Sequence, residues 1–547
     1  MNLLSSLDRA AILEKMQNDT FDLLVIGGGI TGAGIALDAA SRGLKVGLVE
    51  KDDFASGTSS KSTKLIHGGL RYLKQLEVAL VREVGRERAI VHKLAPHLVT
   101  AEKMLLPLVK GGSYGEWATS LGLWVYDVLA GVEGGDKRKM LNKVETLTEE
   151  PLLRKDILQG AGFYAEYRTD DARLTIENIK TAAEYGAVSI NYVKANEFVY
   201  DNGHIRATIC EDQLTHTTFE VKARFVVSAA GPWVDKLRKV DKSLKGKHLF
   251  LSKGVHIVIP HERFPIQHAV YFDVPDGRMI FAIPRHRTTY IGTTDTPYDG
   301  DLNRIPVDKV DVQYLLDGAN AMFPELNLTI DDVESSWAGL RPLIHEEGKS
   351  ASEMSRKDEI FESKTGLISI AGGKLTGFRK MAEKVVDLVA RKYQAQTGNK
   401  LKENHTNKIA LRGGPFASAK SVESYIKEVA DHIAPYGLNP YHARYLVANY
   451  GRQTEEILER LRAYNDPIEV ALVRAEAAFC IQEELTLTPV DFYARRTGRL
   501  YFNLPSIAPT MDIILKDFQQ SFNWSEDKLM AERAALEEVL YDASNFS

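Results

Sequence analysis

DLLVIGGGITGAGIALDAASRGLKVGLVE, residues 22–50, is the stretch that decides the fold of this chain. An apolar run, residues 23–26, stops at three glycines. A helix-forming segment of small residues follows, and a second apolar run ends at Glu50. A strand, a glycine turn, a helix and a second strand in this order predict a βαβ unit of a dinucleotide-binding fold.

The glycine spacing gives each glycine a separate task. Gly27 is predicted to make the tight turn, Gly29 to admit a pyrophosphate to the backbone, and Gly32 to let the helix pack closely on the strands. The helix N-terminus then faces the phosphates with its free N–H groups. Glu50, 18 residues after Gly32, is placed to accept hydrogen bonds from a ribose 2′-OH. A carboxylate at this position favours a cofactor with an unphosphorylated ribose, such as FAD or NAD. The alternative to dinucleotide binding is that the glycines form a merely structural turn.

Length and composition restrict which class of protein this can be. The chain has 547 residues, of which 44% are hydrophobic and 26% charged, so about two to four globular domains are expected. The net charge of -5 provides no global basic field, and we predict no nucleic-acid partner. The only cysteines, Cys210 and Cys480, exclude a disulfide framework and a cysteine-based metal site, fit a reducing cytoplasm, and are expected to be buried. No apolar run approaches the roughly 18 to 20 residues that cross a bilayer, and the N-terminus lacks a secretory signal.

Two adjoining segments after the βαβ unit carry candidate binding groups. Residues 57–64, GTSSKSTK, are small and hydroxyl-rich, and could wrap a phosphate or form a solvated loop. Residues 65–73, LIHGGLRYL, combine a glycine pair with an imidazole, a guanidinium and a phenol. We interpret the histidine as a site residue because it lies directly downstream of a dinucleotide unit. The candidates are Thr58, Ser59, Ser60, His67, Arg71 and Tyr72.

Two later runs repeat the strand-to-glycine pattern. The strand predicted over residues 225–229 breaks at Gly231, and residues 368–377 pass from strand through Gly373 to Thr376 and a helix. We therefore predict a discontinuous dinucleotide-binding domain formed by residues 20–96, 161–245 and 346–393. Short β runs at 255–259, 279–283 and 289–293 predict an antiparallel substrate domain formed by residues 97–160 and 246–345.

The ends of the chain are predicted to be helical. Residues 408–547 form a separate helical domain, with an i, i+3, i+4, i+7 stripe at Val422, Tyr425, Ile426, Val429 and Ile433. Residues 1–20 predict one amphipathic helix. Packing against the body of the protein is the favoured interpretation, and a surface anchor is the alternative.

The motifs taken together resemble one family. IGGGITGAG, Glu50, TSSKSTKLIHGGLRYL, AAGPWV, KGVHIVIP, IGTTD, GLRPL and GGKLTGFRK occur in this order, and the chain resembles the FAD-dependent glycerol-3-phosphate dehydrogenases over about residues 20–385 and the C-terminal domain. The resemblance implies an α/β fold with a D-amino-acid-oxidase-like FAD domain. It also implies oxidation of glycerol 3-phosphate to dihydroxyacetone phosphate, a quinone as electron acceptor, and peripheral contact with the inner face of the cell membrane. A homo-oligomer is among the alternatives for the assembly.

Hydride removal from C2 of a polyol phosphate requires a base for the hydroxyl proton and cations for the phosphate. His67 and His256 are the candidate bases, and the choice between them stays open. The candidate cations, by motif position, are Arg71, Arg341, Arg356 and Lys374. Tyr72 could bind substrate, and Lys374 could stabilise the reduced flavin.

Three alternatives differ in observable chemistry. An oxidase would pass electrons to oxygen and release peroxide. An amine or amino-acid oxidase would need a carboxylate clamp instead of several cations. A flavin-binding sensor would leave its flavin oxidised with every polyol phosphate.

Overall fold

The structure is a computed structural model that describes residues 2–67, 78–113, 138–345 and 357–546. Its strands are β1 (Thr20–Ile26), β2 (Val46–Val49), β3 (Leu65–Ile66), β4 (Thr100–Val109), β5 (Lys139–Asn142), β6 (Leu158–Arg168), β7 (Val188–Ile190), β8 (Val193–Asp201), β9 (His204–Asp212), β10 (Thr218–Ser228), β11 (Leu249–Pro260), β12 (Ala269–Asp273), β13 (Met279–Arg285), β14 (Thr288–Gly292), β15 (Thr296–Pro297), β16 (Ser335–Ile344), β17 (Asp358–Glu362) and β18 (Leu367–Gly372).

The helices connect these strands and then form the C-terminal region. They are α1 (Arg9–Asn18), α2 (Ile30–Ser41), α3 (Val78–Leu94), α4 (Lys143–Glu149), α5 (Asp171–Glu184), α6 (Val234–Val240), α7 (Lys309–Met322), α8 (Phe378–Thr397), α9 (Ala419–Ile433), α10 (Pro440–Tyr450), α11 (Thr454–Leu461), α12 (Ile468–Glu483), α13 (Pro489–Asp491), α14 (Arg499–Phe502), α15 (Ala508–Phe522) and α16 (Glu526–Ser544).

The first sheet is the dinucleotide-binding sheet. Its order is β17-β18-β10-β1-β2-β7, and β18, β10, β1, β2 and β7 run parallel. The hairpin of β8 and β9 extends from β10 and turns at Asn202 and Gly203, an Asn-Gly pair typical of such turns. Helix α2 packs between this sheet and helices α5 and α8, so its small residues, including Ala33 and Ala36, are buried. The βαβ prediction for residues 22–50 is confirmed.

The second sheet has the order β15-β11-β14-β13-β12-β4-β6-β3, with β16 paired to β11 and β5 paired to β6. It is antiparallel apart from the pair of β12 with β4. This agrees with the predicted antiparallel sheet over residues 246–345. The sheet membership of two segments differs from the predicted division of the chain. Strand β6 crosses the boundary at residue 161, and β3 also belongs to the second sheet, because both pair with each other beside β4.

The predicted apolar stripe on α9 is confirmed, since all five of its residues are buried in the core of the C-terminal helices. Helix α1 packs on the body of the protein, with Ile12 and Met16 fully buried in the core of the first sheet. Leu7, which lies before it, is 53% exposed. Cys210 and Cys480 are both buried and unpaired. The aromatic-rich sequence of residues 117–129 predicts a further helix, and these residues lie outside the described ranges.

The C-terminal helices are tied to the dinucleotide-binding region by buried ions. Arg173 of α5 donates to both oxygens of Glu484 at 2.6 and 2.8 Å, and Lys180 donates to the same carboxylate at 2.7 Å. Asp53, just beyond β2, accepts from Arg495 and Arg496. Among the helices of the described ranges, none has the length and hydropathy needed to cross a membrane.

Candidate active site

A cavity of about 670 Å³ lies between the two sheets. The carboxyl ends of the parallel strands β1, β2, β10 and β18 form one side, and β11, β13 and β16 of the second sheet contribute to the other. Open α/β sheets bind ligands at this edge because the turns that follow the strands converge there. The volume lies within the range of roughly 300 to 1,000 Å³ that is typical of ligand sites.

The glycine turn at the end of β1 forms a cradle that side chains would fill. Gly27 has φ +117°, and a Cβ atom there would lie 2.6 Å from the carbonyl oxygen of Ala229. A Cβ atom on Gly32 would lie 1.9 Å from the carbonyl oxygen of Gly27. Gly29 is the N-cap of α2 and brings no side chain, and Gly29, Ile30 and Thr31 line the cavity. This geometry fits the pyrophosphate of a dinucleotide.

Glu50 lines the cavity where the sequence places the ribose acceptor. Its carboxylate accepts from the backbone N–H of Gly28 at 2.6 Å and of Asp52 at 3.0 Å. Burial raises the pKa of this carboxyl to about 7, although the two backbone hydrogen bonds oppose the shift. Each carboxylate oxygen keeps a second lone pair that can accept from a ribose hydroxyl.

The three candidate residues of the hydroxyl-rich turn occupy different positions. Ser59 accepts from the N–H of Ile30 at 2.9 Å and so joins the turn to the N-terminus of α2. Thr58 lines the cavity and donates to the carbonyl oxygen of Leu340 at 2.7 Å. Ser60 is only 1% exposed. Its side chain is buried in the turn beside Thr58 and Ser59, which line the cavity, and its role towards a cofactor stays a prediction.

The two later glycine edges reach the same cavity. Gly231, Gly373 and Thr376 all line it. Gly231 and Gly373 have φ angles of +52° and +77°, which side chains rarely adopt. Thr376 is 1% exposed and donates to the carbonyl oxygen of His67 at 3.1 Å, so this turn also holds the segment of the candidate base.

His256 lies on β11 and is 1% exposed. Its ring stacks on Trp337, and its Nε2 lies 3.0 Å from the hydroxyl of Thr63. Its Nδ1 is buried without a hydrogen-bond partner among the described residues. Burial, followed by the charges of Arg341 and Lys64, lowers the pKa of this imidazole well below its usual range. His256 is therefore neutral at physiological pH.

The other predicted reaction groups meet His256 around the cavity. His67 lines it and contacts Phe281 edge to face, with ring centroids 6.2 Å apart. Arg341 on β16 donates to the hydroxyl of Thr293 at 2.8 Å, and Lys374 lies in the turn after β18. The structure thus brings His67, His256, Arg341 and Lys374 to one cavity. Arg71, Tyr72 and Arg356 lie outside the described residues.

The sequence interpretation missed an aromatic wall. Tyr271 and Phe281 stack with ring centroids 4.2 Å apart, and Met104, Tyr164 and Met279 line the cavity beside them. Residue alternation indicates strands here but does not indicate which face meets the cavity. Thr63 was missed as the partner of His256, and Lys61, one of the two lysines in the segment predicted to wrap a phosphate, lines the cavity.

Two family models match the chain. Residues 22–379 match the FAD dependent oxidoreductase family, and residues 404–529 match the C-terminal domain of alpha-glycerophosphate oxidase. The fold, the glycine cradle and these matches define an FAD-dependent oxidoreductase, and the predicted fold class and cofactor are confirmed.

Individual relatives narrow the class. The aerobic glycerol-3-phosphate dehydrogenase of Bacillus subtilis (strain 168) is 49% identical over 546 residues and covers 98% of both chains. That of Staphylococcus aureus (strain USA300) is 47% identical, covering 99% of this chain and 98% of its own. The structure of the Bacillus halodurans glycerol-3-phosphate dehydrogenase complexed with FAD has a TM-score of 0.85 and 44% identity, covering 99% of this chain and 98% of its own. The chain belongs to the family of aerobic glycerol-3-phosphate dehydrogenases, which confirms the resemblance seen in its motifs.

Proposed function

We propose that this chain oxidises glycerol 3-phosphate to dihydroxyacetone phosphate and passes the electrons to a quinone. The observation that carries the proposal is the meeting of His67, His256, Arg341 and Lys374 in the cavity that contains the glycine cradle. The relatives named above support the choice of substrate. FAD, when bound, supplies an acceptor for a hydride.

Arg341 and Lys374 are proposed to bind the phosphate. A guanidinium can donate two parallel hydrogen bonds to phosphate oxygens, and an ammonium adds a compact point charge. Arg341 is held by neutral oxygens of Thr293 and Thr294 at 2.8 and 3.1 Å, with Asp295 farther away at 3.4 Å. These contacts orient the guanidinium in the cavity wall, where its positive charge favours an anionic group. A small dianion therefore fits this end better than a neutral polyol.

We assign the base to His67 and an orienting role to His256. The C2 hydroxyl proton would move to the imidazole of His67 as the C2 hydrogen leaves with its electron pair and the C2–O bond becomes a carbonyl. His256 suits this step less, because its Nε2 is engaged by Thr63, its Nδ1 is buried, and nearby cations weaken its basicity. Through Thr63 it positions the turn that precedes His67.

The Tyr271 and Phe281 wall supports a planar acceptor. Stacked aromatic side chains offer an apolar face to a quinone ring. A site that binds the carboxylate of an amino acid would not need such a face. Because such quinones dissolve in the bilayer, we propose that the chain contacts the inner face of the cell membrane peripherally. Assembly as a homo-oligomer stays a prediction.

Anaerobic addition of glycerol 3-phosphate tests the reaction. The visible absorption of the oxidised flavin should bleach, and a water-soluble quinone should restore it. Stoichiometric peroxide in air, with no response to quinone, would instead establish an oxidase. His67→Asn should slow bleaching more than His256→Asn at saturating substrate, and the reverse order would exchange their assigned roles. A flavin that ignores glycerol 3-phosphate would refute the function.

A further inference from the structure

Lys61 lies in a wall shared by two cavities. It lines the FAD cavity and also a smaller side cavity of about 280 Å³, whose wall is completed by residues of the 302–305 segment, Leu340 and Arg495. It directly follows the Thr58–Ser60 turn, in which Ser59 accepts from the first N–H group of α2. The backbone of Lys61 is therefore tied, two residues away, to the helix end that faces the pyrophosphate.

The charged groups around Lys61 are paired with one another. Arg495 donates to Asp53 and Asp491, both at 2.5 Å. Lys51 donates to Asp52 at 2.6 Å and lies 4.3 Å from the ring centroid of Trp233. In contrast, the ammonium of Lys61 has no hydrogen-bond or ion-pair partner within the part of the chain that the structure describes.

An unpaired ammonium in a cavity wall is costly for the protein alone. Burial, with the charge of Arg495, lowers the pKa of Lys61 to about 8. Lys61 is half-buried in the cavity wall, and an arriving anion would stabilise its charged form. Of the neighbouring acidic groups, Asp52 pairs with Lys51 and offsets the shift only in part, and Asp53 pairs with Arg496.

The cofactor brings an anion to this place. The pyrophosphate of FAD is doubly charged, and the N-terminus of α2 offsets only part of that charge through its N–H groups and dipole. We propose that Lys61 binds the FAD pyrophosphate as its cationic partner across the Thr58–Ser60 turn. In this role Lys61 controls how tightly the cofactor is held and takes no part in the chemistry at the substrate.

Cofactor release from the holoenzyme tests this role without using activity. Serial dilution, followed by the fluorescence of free flavin, gives the dissociation constant for FAD. Lys61→Met should raise that constant roughly 10- to 100-fold, the range expected for loss of a charged hydrogen bond. Lys61→Arg keeps the charge and should stay within about threefold of the original protein. An unchanged constant in Lys61→Met would overturn the proposal.

Competition experiments separate a pyrophosphate contact from a general loosening of the site. ADP-ribose contains the pyrophosphate without the isoalloxazine, and riboflavin contains the isoalloxazine without the pyrophosphate. Lys61→Met should weaken ADP-ribose by the same factor as FAD and leave riboflavin unaffected. Equal weakening of both competitors would show a structural effect and would overturn the assignment.

The pH dependence gives an independent readout. The titratable groups that face Lys61 are Lys51, Asp52, Asp53, Tyr192 and Arg495. If FAD requires protonated Lys61, its dissociation constant should rise above pH 8 by up to about tenfold per pH unit.

Glu50, whose pKa is about 7, titrates in every variant and contributes the same pH dependence to each. In Lys61→Arg, only the rise of the FAD dissociation constant above pH 8 should be absent. Coincident curves for the original protein and Lys61→Arg would contradict the proposal. This comparison remains decisive even if Lys61→Met does not fold.

Discussion

Trp337 stacks on His256 with ring centroids 4.8 Å apart and planes inclined by 10°. The indole lies between this imidazole and two rings of the C-terminal helices, Tyr501 and Phe502, whose centroids are 5.4 and 5.7 Å from it. Its Nε1 donates to the carbonyl oxygen of Ser62 at 3.2 Å. A helical domain that contributes no predicted reaction group therefore backs the candidate active site.

Replacing Trp337 should reduce turnover without preventing cofactor binding. In Trp337→Leu the imidazole of His256 loses the indole on which it stacks. A small displacement of the groups around the reaction can lower the rate about 10- to 100-fold. Trp337→Phe retains a ring and should recover most of the rate. Stopped-flow reduction of the flavin measures both. Equal rates in the Leu and Phe variants would show that stacking does not position His256.

Arg341→Met should raise the KM for glycerol 3-phosphate roughly 10- to 100-fold, because a charged hydrogen bond to the phosphate is lost. Arg341→Lys should give an intermediate KM, since it keeps the charge but not the two-pronged geometry. Arg206→Met is a matched surface control, because Arg206 pairs with Glu220 in an exposed position. Steady-state kinetics, with FAD content measured in parallel, give these KM values. An equal KM for Arg341→Met and for the control would contradict the assignment of Arg341 to the phosphate.

Gly32→Ala should yield colourless protein. The added Cβ would lie 1.9 Å from the carbonyl oxygen of Gly27, so the turn and helix α2 must separate. Gly377→Ala is the control, since a Cβ atom there meets nothing within 4 Å. The ratio of flavin to protein absorbance measures occupancy. A fully loaded Gly32→Ala protein would show that this close approach does not shape the cofactor site.

Asp53→Asn should destabilise the protein by about 3 to 5 kcal/mol, because the buried Arg496 loses its carboxylate partner while Arg495 keeps only Asp491. Asp53 is 1% exposed and accepts from Arg496 at 2.7 and 2.8 Å. Denaturant unfolding measures the loss. Arg496→Met combined with Asp53→Asn should cost less than the sum of the single changes, since both remove the same pair.

Acid should weaken the same contact. Burial alone would raise the pKa of Asp53, but the charges of Arg496 and Arg495 overcome it and hold the pKa at about 2, below its ordinary value of 3.8. Its contribution is therefore complete above about pH 4 and falls by about 2 kcal/mol as the pH drops towards 2. Asp53→Asn should lack this part of the pH dependence. Parallel stability curves for both proteins between pH 4 and 2 would contradict the assignment.

The glycine cradle was predictable because its cause is local. Gly27 and Gly32 are five residues apart, and the steric need for hydrogen at those positions follows from a strand, a turn and a helix in immediate succession. The stripe on α9 was predictable for the same reason, since helical periodicity operates within a few turns. Which of the hydroxyl residues 58–60 line the cavity was not predictable, because composition does not reveal which side a turn presents.

By itself, the sequence determined a dinucleotide-binding βαβ unit, an antiparallel second sheet and a helical C-terminal region, because each is encoded by spacing between near neighbours. Only the tertiary structure decided that Trp337 supports His256, that Arg496 holds Asp53, and that Lys61 has no partner among the described residues. These relationships join residues tens to hundreds of positions apart. Contacts at that separation depend on how whole sheets and helices pack, and no local pattern specifies them.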